Sequence, residues 1–146
     1  MSEYIKSCID EIDFAKADQM HAAALQISKT CFDFKKLCVS FLGVAMVFLF
    51  KFTNKHFDHS LFVVGLILIL GFWISDATAY YYQKSLRHKI SEQFKQIANR
   101  NQINNMSESS TPNVIESLFN PSMSLYYILG ALFSGSWFAF SAGWIG

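Results

Sequence analysis

Proline occurs only twice in the 146 residues, at positions 112 and 121, and no glycine precedes Gly43. Nothing in the first forty-odd residues therefore obliges a helix to stop. Charge is scarce, at 16% of residues, and balanced, with 12 Lys plus Arg against 11 Asp plus Glu, a formal net charge of +1. That balance excludes a basic surface large enough to hold a nucleic-acid duplex. Cysteine is limited to Cys8, Cys31 and Cys38, too few for a disulfide framework, and no disulfide is expected. A glycine-rich phosphate loop, a paired metal-binding histidine motif and a nucleophile elbow around any serine are all missing. Neither an enzyme nor a bound metal or cofactor is expected. His56 and His59, with Asp58 between them, make a lone H-x-x-H in a polar loop, which lacks the further ligands of a closed site.

What the chain has is apolar mass: 52% of residues are hydrophobic and 16% aromatic, too much for disorder in one compact unit. Charge is concentrated before residue 37 and over 84–116, and it vanishes over 121–146. Three runs approach the roughly 20 residues that a helix needs to cross a bilayer. Residues 37–52 (LCVSFLGVAMVFLFKF) are short, with Lys35, Lys36 and Lys51 able to extend to the two interfaces. Residues 60–82 (SLFVVGLILILGFWISDATAYYY) open on an aliphatic run and close in tyrosines suited to headgroup level. Residues 123–145 (MSLYYILGALFSGSWFAFSAGWI) carry no charge and have Tyr126, Tyr127 and Trp144 near their ends. A soluble bundle is the competing reading, disfavoured because buried helices rarely run so long without charge. The acidic N-terminus and late first apolar run do not fit a signal peptide.

The fold expected is all-α: an integral membrane protein with three transmembrane helices and a cytoplasmic helical stalk. Residues 1–36 form a cytoplasmic amphipathic helix, 37–103 a hairpin of two spans with a cytoplasmic extension, 104–122 a polar linker with a short interfacial helix, and 123–146 the third span. Upstream, Ile5, Ile9, Ile12, Met20, Ala23, Ile27, Cys31 and Phe34 recur at helical spacing, and downstream Leu86, Ile90, Phe94 and Ile97 form a matching stripe. The two extensions are expected to pair as an antiparallel coiled coil; the alternative, an N-terminal helix flat on the membrane, suits its acidic face less well. Thr111 with Pro112, and Asn120 with Pro121, resemble helix starts, bringing Val114, Ile115, Leu118 and Phe119 to the inner interface. Lys29, Lys35 and Lys36 before the first span, and Lys84, Arg87, Lys89, Lys95 and Arg100 after the second, put the N-terminus in the cytoplasm and the C-terminus on the outer side of the membrane.

Asp76 is the residue that asks for a role, because an ionised carboxylate inside a span costs at least about 2.5 to 3.5 kcal/mol. Either it pairs with Lys35 or Lys36 across the hairpin, or it serves conduction or gating with basic neighbours that include Arg87. Ala131, Gly135, Ala139 and Gly143 place small residues at every fourth position of the third span, a pattern for close helix contact, here expected to bridge copies in a homo-oligomer. Cys31 and Cys38, seven residues apart, suit core packing rather than redox exchange.

The stretch 72–90 (FWISDATAYYYQKSLRHKI), with Phe72, Trp73, Asp76, Ala77 and Arg87, resembles the end of the second span in small bacterial membrane proteins of phage-defence operons. That group is similar to SLATT-type effectors and to the membrane accessory proteins found beside RNA-targeting CRISPR and RADAR systems. The resemblance implies a membrane effector or accessory component that perturbs or gates the membrane during infection. A cytoplasmic protein partner or nucleotide signal would control it. A non-conducting anchor that recruits a soluble defence enzyme is the alternative.

Overall fold

The computed structural model describes residues 7–52, 58–103 and 111–144. Residues 53–57 of the expected outer turn, with His56, and residues 104–110 of the polar linker lie outside these residues. The described residues are 90% helical, without strands: α1 (Cys8–Phe52), α2 (His59–Arg100), α3 (Val114–Leu118), a 3-10 turn (Pro121–Met123) and α4 (Ser124–Ser141). At 1.5 Å per residue, α1 with 45 residues and α2 with 42 each exceed about 60 Å.

These two helices form one continuous antiparallel pair. Asp10, Ala17, Ala24, Cys31 and Cys38 are all buried along α1, and they recur every seventh residue. A small side chain at each seventh position lets two backbones approach closely along a coiled-coil seam. At the stalk, Phe14 packs on Phe94, ring centroids 5.9 Å apart. Ile9 and Ile12, expected inside, are exposed; the neighbouring acids Asp10 and Asp13 turn inward because Arg100 and Asn101 meet them there. α2 ends with Gln102 at φ 55, Ile103 N–H reaching the Ala98 carbonyl and Gln102 N–H the Asn99 carbonyl. This is the left-handed helix stop that glycine ordinarily makes.

α2 is the central element, packed by α1, α3 and α4. Gly65 is where the three long helices converge: a Cβ there would collide with the Phe133 ring of α4 and come within 2.9 Å of the Met46 methyl of α1. The tightest core lies further along, where Cys38, Leu42, Ile69, Ala77, Met123 and Tyr126 are buried together. Away from this core, Val44, Val47 and Phe48 on α1, Ile67 and Ile74 on α2, and Ile128, Leu132 and Phe138 on α4 point outward. α2 and the α3–α4 segment are long and apolar enough to cross a membrane. The 37–52 run continues α1 without a break, but lysines at both ends leave it shorter than the other two.

The chain entering α4 is fixed by caps. Asn113, not Thr111, starts α3, its side chain accepting from Ile115 N–H; Asn120 accepts from Ser122 N–H, with Pro121 next. A type of ending like that of α2 closes α4, where Trp144 N–H reaches the Ala139 carbonyl and Gly143 N–H the Phe140 carbonyl, with Gly143 at φ 74. Gly143 is therefore the stop of α4 and lies beyond the helical ridge expected to include it.

Candidate functional site

Asp76 sits on α2 inside the junction of α1, α2 and α4 and is 0% exposed. The antiparallel register brings Cys31 opposite, its thiol 4.0 Å from the Asp76 carbonyl. Lys35 stands one turn further along α1. Side chains on a helix tilt toward its N-terminus, so the Lys35 stem leans back toward Cys31 and its Nζ donates to Asp76 Oδ2 at 2.6 Å. Nζ also lies 3.5 Å from the Cys31 carbonyl. Such a charge-assisted bond stabilises a carboxylate that water no longer reaches.

The third contributor comes from α4. Tyr126 is buried, its ring 6.0 Å from the Lys35 ammonium. Its hydroxyl faces the Asp76 carboxylate closely enough to feel its charge, without a hydrogen bond of good geometry. Among the described residues neither the Tyr126 hydroxyl nor Asp76 Oδ1, both buried, has a hydrogen bond of good geometry. One carboxylate oxygen is thus held by α1, while the other and the nearby phenol share a buried junction, where weakly satisfied polar atoms are costly.

The other expected charges fall elsewhere. Lys36 is exposed, paired with Asp33 at 3.6 Å and placed 4.5 Å over the Phe32 ring. Arg87 is exposed, eleven residues and about 16 Å along α2 from Asp76. Of the small residues, Ala131 and Gly135 are exposed and Ala139 half-buried. A Cβ on Gly135 would meet nothing within 4 Å, so at Gly135 the ridge faces away from the described helices, while Ala131 borders a cavity against α2. Cys31 and Cys38 are both buried free thiols in the seam.

Two further arrangements escaped the sequence reading. α3 is pinned at the same level as the ion pair: the Trp73 indole and the Tyr127 hydroxyl both donate to the Leu118 carbonyl, at 3.2 and 2.6 Å. Asn120 donates to the Tyr80 hydroxyl at 2.9 Å, and Lys84 pairs with Glu116. At the far end of the stalk, Arg100 bridges Asp10 and Asp13 at 3.0 and 2.5 Å. The hydrogen bond that Arg100 donates to Asp13, reinforced by the charges of both acids, holds the Arg100 pKa above its ordinary value. The heptad of small residues was the signal for that clasp, since it places Asp10 on the seam with Ala17 and Ala24. Among the described residues no cluster of three or more His, Cys, Asp or Glu is placed to hold a metal.

No protein-family model, curated protein or solved structure matches this chain.

Proposed function

We propose that the protein is a non-enzymatic, homo-oligomeric inner-membrane effector or accessory component of bacterial antiviral defence. It crosses the bilayer three times, N-terminus cytoplasmic and C-terminus periplasmic, and its stalk receives a protein partner or nucleotide signal. The observation that carries this reading is the continuity of α1 and α2 through both zones. A displacement at the Arg100 clasp is transmitted along two unbroken helices to Lys35 and Asp76. The outward apolar residues of α1, α2 and α4 supply the surface for lipid, since water does not tolerate helices that are apolar all round. The defence role draws on the resemblance of 72–90 alone. The exposed Ala131 and Gly135 supply the contact between copies.

In this reading Lys35–Asp76–Tyr126 holds the membrane helices in a resting arrangement. Ion flux through liposomes carrying the purified protein tests it: leakage that rises on Asp76→Asn is expected. A second reading, a non-conducting anchor that recruits a soluble enzyme, draws on Asp76 being sealed inside the bundle. It predicts no flux from either form, and loss of recruitment on Ile90→Asp in the stalk. A phosphatase fused after Gly146 is expected to be active, and an inactive fusion overturns the orientation.

A further inference from the structure

We propose that the slot between α2 and α3 is a binding site for one anionic phospholipid of the cytoplasmic leaflet, an inference that rests on the membrane reading above. The slot has a volume of about 240 Å³ and is walled by Ile74, Thr78, Tyr81 and Tyr82 of α2 and by Val114 and Leu118 of α3. Its walls are apolar and its side is open. It lies level with the polar boundary marked by Trp73, Tyr80 and Asn120, whose bonds fasten α3 in place.

Thr78, Tyr82, Ser85 and Lys89 follow one another at spacings of four, three and four, so they share one face of α2. Tyr82 and Lys89 are exposed and Ser85 half-buried. α2 descends from the membrane zone into the stalk, and the tilt of helical side chains toward the N-terminus aims Ser85 and Lys89 back up at the mouth of the slot. An acyl chain in the slot would therefore set its phosphate beside two hydroxyls and an ammonium. Lys84, on the flank, is already neutralised by Glu116, which leaves Lys89 as the cation that reads headgroup charge. A basic side chain at the end of an apolar, tyrosine-rimmed slot matches an acidic phospholipid and gives a zwitterionic one no equivalent gain.

The test uses the full-length protein, delipidated in detergent and titrated with phosphatidylglycerol or phosphatidylcholine under native mass spectrometry. Wild type is expected to bind phosphatidylglycerol about fivefold more tightly, the worth of one cation at an anionic surface. Lys89→Ala is expected to erase that preference. Lys29→Ala is expected to keep it, although Lys29 lies level with the slot itself on α1, two residues from the Cys31 that meets Asp76. Val114→Trp, at an exposed position, is expected to weaken both lipids by filling the slot. Equal affinity for the two lipids, equal loss on Lys29→Ala, or dimers in place of lipid adducts overturns the proposal. Carbonate washing of native membranes separates the two inferences. Protein that stays in the pellet but lacks lipid preference removes the lipid site alone, whereas protein released into the supernatant removes the membrane reading itself.

Discussion

Breaking the Lys35–Asp76 pair from its two sides has unequal consequences, because Asp76 is 0% exposed whereas the Lys35 side chain keeps 19%. Lys35→Met strands a buried carboxylate, which typically costs about 3 to 5 kcal/mol. Asp76→Asn leaves an ammonium that can swing to water, with a cost nearer the roughly 1 to 3 kcal/mol of a lost buried hydrogen-bond partner. Thermal unfolding in detergent is expected to rank Lys35→Met below Asp76→Asn in Tm, with Lys35→Met/Asp76→Leu recovering most of the loss. A Lys35→Met protein as stable as wild type would mean that the pair contributes nothing. Asp58 gives a pH signature at the opposite end of α2. The Ser60 hydroxyl first, and then His59 N–H, hold its pKa below the ordinary carboxylate range. A depressed folded pKa contributes stability that is present above the unfolded value and fades as pH falls through the folded one. Protection of the His59 amide against exchange, taken relative to the intrinsic rate at each pH, is thus expected to fall on acidification through and below the carboxylate range. Asp58→Asn, which caps without titrating, is expected to remove that dependence.

At the scale of helices, Gly65 is the position where size matters most. Gly65→Leu forces apart Phe133, Met46 and α2, and overpacking of that kind costs typically about 1 to 3 kcal/mol. Gly71→Leu, where a side chain meets nothing within 4 Å, is expected to leave Tm unchanged or slightly raised. Equal effects from the two would show that the convergence at Gly65 is loose. The contrast also marks how far the sequence could be read. The long helices were legible from apolar periodicity and from the lack of proline and glycine. The cost of a lone charge in an apolar run pointed to a partner for Asp76 but left Lys35 and Lys36, and pairing and gating, as alternatives; the register of the hairpin selects Lys35 as the partner. The seam of the stalk was misread where hydrophobic periodicity favoured bulky Ile9 and Ile12, while close approach of two helices selects small residues every seventh position. Tyr126 read as an interface anchor, since its place beside Asp76 depends on how α4 docks, which no local pattern encodes. The start of α3 shifted from Thr111 to Asn113 because the residue that can accept from the second N–H beyond it is the asparagine.

For the whole molecule, the homo-oligomer proposed above lets the exposed Gly135 on α4 separate folding from assembly. Gly135→Leu touches nothing inside the chain, so its Tm is expected to match wild type while the mass of the detergent particle falls toward one copy. An unchanged mass would place the contact between copies elsewhere. Along the long axis, Cys8 lies twenty-seven residues of unbroken helix from Lys35, about 40 Å. The field of an anionic leaflet decays within a Debye length, about 8 Å at physiological ionic strength. In the membrane reading proposed above, the Arg100, Asp10 and Asp13 clasp lies eleven residues beyond Lys89, about 16 Å or two such lengths from the headgroups. Its ionisation then follows the bulk solution far more than the leaflet, and exchanging the surrounding bilayer for one of different surface potential shifts it little.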